Sequence, residues 1–149
     1  MNTLLAHAHL IISHVPIVLS VFGTVFYLLH FRYQQLHFTA LLLLIIAGVI
    51  ILFVPFTGEE AQHLLMDSGV NASRDTIHTH KEAGEMARNI MVITALVAAF
   101  ELYGHDLWHR YKIVFISILT LLCTLSTISL SVTGYTGGQI RHTELGIQE

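Results

Sequence analysis

Long apolar stretches alternate with short polar breaks along the chain. Crossing a hydrocarbon core takes ~20 mostly apolar residues in a helix. Leu10 to Phe31, Phe38 to Phe56 and Ile113 to Val132 each supply such a run. A further run, third in chain order, is less uniform: its uncharged part spans Asn89 to Phe100 and meets Glu101. Begun earlier, near Ile77, it gains an amphipathic entry in which His80, Gly84, Ala87 and Met91 share one face at i, i+4, i+7, i+11. The pattern predicts an all-α fold, a four-transmembrane-helix up-down bundle. It forms one integral membrane domain over 1–149, with helices at about 10–31, 38–56, 77–103 and 113–133.

The connections alternate in kind. Arg32 to His37 and Gly104 to Lys112 are short; Thr57 to Thr79 is longer, polar and acidic, and Gly134 to Glu149 forms a polar tail. Four crossings place the N-terminus, the long loop and the tail on one side (face A) and the short loops on the other (face B). Arg32, Arg110 and Lys112 are concentrated in face B, whereas Arg74, Lys81, Arg88 and Arg141 of face A are diluted among acids. Basic density in short loops marks the cytoplasmic side. The expectation is a bacterial inner-membrane protein with both termini periplasmic. The N-terminus lacks the basic region and small-residue cleavage site of a secretory signal, so the first run reads as a retained helix.

Composition sharpens this picture. Charged residues make up 11% of the chain and hydrophobic ones 54%, against about 25% charged in a soluble domain. The formal net charge of −3 excludes a nucleic-acid surface, which would be basic. The lone Cys123 excludes an internal disulfide and thiolate-based zinc sites. The 11 histidines are the informative excess. His7, His9, His14, His63, His78, His80 and His142 fall to face A, and His30, His37, His105 and His109 to face B.

Imidazole is costly in hydrocarbon unless paired or ligated. His14, about one turn inside the first helix, and His80, opening the third, lie on helices expected to be diagonal across the bundle. Two such imidazoles are the axial pair of a b-type haem. His9 and His142 are the substitutes, and Arg141 is suited to a propionate. The first helix also carries a stripe of His9, Ser13, Pro16, Ser20 and Gly23, the kind of small-residue line along which helices approach in lipid. That stripe puts His9 rather than His14 inward; the two are about 140° apart, and which one faces the axis stays open. In the fourth helix Ser117, Thr120, Thr124, Thr127, Ser131, Gly134 and Gly138 make a similar line. A second haem on His30 and His105 is disfavoured, because His30 is turned ~160° from His14.

Two competing readings accompany haem. Glu59, His80, His142 and Glu144 could converge on a non-haem zinc, copper or iron ion. Alternatively the histidines are headgroup anchors of a structural or assembly subunit. Glu101, near the face B end, is expected to pair with Arg110 or Lys112. Nothing in the chain has the spacing of a hydrolytic triad or a phosphate loop, so a non-catalytic subunit is the expectation rather than an enzyme.

Together, His9 through His14-Val15-Pro16, Gly58-Glu59, His80 and the Gly137-Gly138 tail resemble a family of bacterial four-helix membrane proteins catalogued as a domain of unknown function. Its members show a histidine two residues before a proline in the first helix, a histidine opening the third, and a Gly-Gly segment with a nearby histidine after the fourth. Val15 replaces the aromatic residue common before that proline, and His142 stands closer to the glycines than in many members. The resemblance implies the four-helix fold and singles out His9, His14, His80 and His142. The combined expectation is an electron-transfer subunit holding haem b near face A. Its partners would be the lipid bilayer and protein subunits of a larger respiratory complex.

Overall fold

A computed structural model describes the backbone of residues 2–67 and 74–144, and the side chains of 8–59, 61–63, 75–104 and 110–140. The described residues form five helices and no strand: α1 (Asn2–Leu29), α2 (Leu36–Ile50), α3 (Val54–Asp67), α4 (Arg74–Tyr103) and α5 (His105–Glu144). Of these, α1, α4 and α5 are each long and apolar enough to cross a membrane. The bent pair α2 and α3, at 43°, passes the same test only if counted as one span.

The apolar run expected at 38–56 is therefore divided. Proline at position 55 has no N–H to donate and pushes the preceding residue away from helical angles. The chain answers with two tighter bonds, Leu52 N–H to Val49 O and Phe53 N–H to Ile50 O, before α3 begins. Helix then covers much of what the polarity pattern reads as a long loop. Asp75 in the first turn of α4 complements that helix's N-terminal dipole. The polar tail is likewise helical as far as Glu144, since each glycine costs a helix only about 1 kcal/mol. At the other end, the expected loop from Gly104 shrinks to that one residue. A Cβ on Gly104 would stand 2.6 Å from the Phe100 carbonyl, which makes glycine obligatory there. A kink at Tyr111 follows within α5.

Helix α1 packs on α2, α3 and α5, while α4 packs on α2 and α5. The two helices α1 and α4 thus face each other across the centre. Pro16, Ser20, Gly23 and Tyr27 make the buried line of α1, as its small-residue stripe anticipates. The line on α5 differs from the anticipated one. Leu119, Cys123, Ser126, Leu130 and Thr136 are buried, whereas Thr124, Ser131 and Gly134 are exposed. Both lines have the same period and lie about 100° apart, so periodicity alone does not choose between them. Thr127, between the two, bonds Ser20 at 3.3 Å and Thr24 at 3.2 Å, and Thr94 bonds Ser126 at 2.8 Å. These hydroxyl pairs join α5 to both of its long neighbours. Ile11, Phe22, Leu96, Ile113, Leu121 and Ile128 meanwhile point outward. That is an inverted surface for water and a suitable one for lipid.

Glu101 lies at the short-loop end, but its partner is neither Arg110 nor Lys112, both of which are exposed. Its carboxylate accepts hydrogen bonds from Tyr27 Oη and meets His37 Nε2 at 2.6 Å. Burial explains the choice. Cations at the start of α5 stay with water, whereas α1 and α2 bring a phenol and an imidazole to the buried acid.

Candidate cofactor site

The opposite end of the molecule brings together the first histidine of the α1 stripe and the histidine of the α4 face. His9 and His80 are both half-buried, and the charge of His80 is felt at His9. Each is held in the same way by a different helix. His9 Nδ1 meets Thr57 Oγ1 at 3.0 Å, and the Thr57 hydroxyl donates to the Val54 carbonyl at 2.9 Å. His80 Nδ1 meets Thr136 Oγ1 at 3.0 Å, and the Thr136 hydroxyl donates to the Thr133 carbonyl at 3.0 Å. Even the glycines correspond: a Cβ on Gly58 would come 3.2 Å from His9 Cε1, and one on Gly137 3.0 Å from His80 Cε1.

The geometry assigns the tautomer. A threonine hydroxyl has one proton, and here it is spent on a carbonyl. Toward the ring, the oxygen therefore accepts, so Nδ1 carries the imidazole proton in both histidines. In a neutral ring this leaves the Nε2 lone pair unprotonated. Among the described residues neither Nε2 has a hydrogen-bond partner, and no side-chain nitrogen or oxygen of theirs is both sealed from solvent and unpaired. The two lone pairs accordingly face accessible space. Imidazoles whose Nδ1–H is anchored and whose Nε2 is open are in the state that binds metal.

His14 also acts on His9 electrostatically but is held differently. It is exposed, and its Nδ1 bonds the Leu10 carbonyl of its own helix. The inner place expected first for His14 is taken by His9, because Pro16, Ser20 and Gly23 set the packed face of α1 and His9 continues their line. His80, Gly84, Ala87 and Met91 do share a face, with Ala87 and Met91 buried. Glu59 is exposed. The side chains of Arg141, His142 and Glu144 lie outside the described residues, as does His105. Among the described residues no group of three or more His, Cys, Asp or Glu gathers at ligand spacing. His30 faces Tyr27 and His37 through ring contacts of 4.8 and 4.7 Å.

Thr57 and Thr136 as ring anchors escape a reading of histidines alone. The signal was nonetheless present as a repeat. His7-Ala8-His9 parallels His78-Thr79-His80, and Phe56-Thr57-Gly58 parallels Tyr135-Thr136-Gly137, with His63 and His142 each five residues past the glycine. Histidine and threonine are 48 residues apart in the first half and 56 in the second. Two helix-pair units thus hold equivalent imidazoles at the same end of the bundle.

Three to four apolar spans and this paired-imidazole site define an all-helical, multi-pass membrane protein. Comparison with protein-family models, curated proteins and solved structures gives no match to this chain.

Proposed function

We propose that the protein is a membrane electron-transfer subunit in which His9 of α1 and His80 of α4 would hold one b-type haem. The observation that carries this reading is the matched pair of imidazoles, each with Nδ1–H fixed by a threonine and Nε2 open. The donor set fits haem, which needs only two protein ligands. A structural zinc or non-haem iron ion draws three or four. Haem would supply one-electron exchange at this end of the bundle. The chain's own part is to orient the rings and to make them more basic through their Nδ1–H bonds. Arg141, just past Ile140 in α5, is the cation expected at a propionate.

In this reading α1, the bent α2–α3 pair, α4 and α5 are four spans of an up-down bundle in a bacterial inner membrane. Face A, with both termini, is periplasmic, in keeping with the basic density of face B. A lack of any catalytic constellation suits a subunit that passes electrons to protein partners in a larger respiratory complex. The resemblance to the four-helix family supports this reading through His80, which opens the third long helix, and Gly137, which lies beside it.

The purified protein should show b-type absorption bands on reduction with dithionite. His9→Ala or His80→Ala should abolish them. Wild-type protein reconstituted with haem but lacking such bands would end the proposal.

A further inference from the structure

At the end of the bundle remote from His9 and His80 lies a second titratable cluster. The Glu101 side chain is fully buried and His37 is 32% exposed, with 2.6 Å between Nε2 and Oε1. Tyr27 Oη, itself buried, reaches both carboxylate oxygens at 3.3 and 3.1 Å. Other titratable or charged groups come from each surrounding element. His30, after α1, stacks on His37, and Cys123 of α5 lies within electrostatic reach of Tyr27 and Glu101. Lys112 of α5 acts on His30 from an exposed position. Burial lowers the affinity of His30 for a proton below the ordinary histidine range. The Cys123 thiol is free and buried.

Among the described residues no lysine or arginine pairs with Glu101: its partners are a phenol and an imidazole. A carboxylate left charged and unpaired in a low-dielectric interior is expensive. One proton removes that cost, whether it resides on His37 to make an ion pair or on Glu101 to make a neutral hydrogen bond. The uncharged phenol steadies either form by donating to the carboxyl group. Glu101 has no exposure of its own, while His37 touches both the acid and the aqueous boundary. The proton's path to water therefore runs through the imidazole.

We propose that Glu101, His37 and Tyr27 form a proton-binding site, loaded and unloaded from the aqueous phase at the short-loop end through His37. The proton is the ligand, Glu101 and His37 share it, and Tyr27 is a positioning residue. The site does not depend on haem ligation at the other end.

Infrared difference spectra between acid and alkaline buffer test this, using the full chain in lipid nanodiscs. The expected wild-type signal is a protonated-carboxyl stretch that is lost in Glu101→Gln. In Tyr27→Phe, which keeps the ring and its packing, the band should persist but move to higher wavenumber as the phenol donor is removed. After a pH jump, His37→Phe should slow the band's appearance. Absence in wild type of both a titrating buried-carboxyl band and a titrating His37 imidazole band would overturn the proposal. So would an unchanged band in Glu101→Gln, the same frequency in Tyr27→Phe, or an unchanged rate in His37→Phe.

Discussion

Replacing Thr57 with valine removes one oxygen from the site while keeping the shape of the side chain. In the structure that oxygen accepts from His9 Nδ1 at 3.0 Å and donates to the Val54 carbonyl at 2.9 Å. Loss of a single hydrogen bond of this kind costs about 0.5–1.5 kcal/mol net. The ring also loses the contact that fixes its tautomer and orientation. Outer-shell partners of metal-bound histidine typically contribute about 10–100-fold in affinity, or roughly 1.4–2.7 kcal/mol. Titration of haem into the cofactor-free protein, followed by absorption, should therefore show an affinity loss of about 10–100-fold in Thr57→Val. Because Thr136 holds His80 at the same distance, Thr136→Val should give a loss of similar size. Thr124→Val is the control, for its hydroxyl is exposed and bonds only the Thr120 carbonyl. Equal affinity in Thr57→Val and Thr124→Val would refute the assigned role of the threonine anchors.

Three further outcomes follow from the same geometry. His14→Ala should retain haem, since that ring is exposed and bonded to its own helix; loss of the reduced bands in this variant would show that His14 is a ligand. Gly137→Ala would bring a Cβ to 3.0 Å from His80 Cε1, so haem affinity should fall without loss of the fold, as measured by titration and circular dichroism together. Gly48→Ala would place a Cβ 2.2 Å from that of Ala95 and force α2 away from α4; overpacking of this sort costs about 1–3 kcal/mol, readable as a lower thermal midpoint in detergent, while an unchanged midpoint would contradict the close approach.

How far the site was legible depended on what each residue's signal was. His80 announced itself, because Gly84, Ala87 and Met91 follow it at helical spacing and only one face of α4 is that small and apolar. The α1 stripe and the His14-x-Pro16 motif pointed to different histidines. Packing favoured the stripe: Pro16, Ser20 and Gly23 are all buried, and only His9 continues their line. Thr57 and Thr136 were hidden as single residues and visible as a repeat. Glu101 was conspicuous as an acid in an apolar run. Its partner was not, because charge in the sequence pointed to cations that the fold leaves at the aqueous edge.

Membrane residence and helical class followed from the chain alone. Lipid requires each spanning segment to satisfy its own backbone bonds, and uninterrupted apolar runs record that requirement locally. The break before Pro55 was not read from the chain, whose apolar run continues through it. Which imidazole turns inward, which of two equally periodic lines on α5 is buried, and which partner reaches Glu101 depended on how the helices rotate against one another. That rotation is set by packing among residues far apart in sequence, so only the tertiary structure decided it.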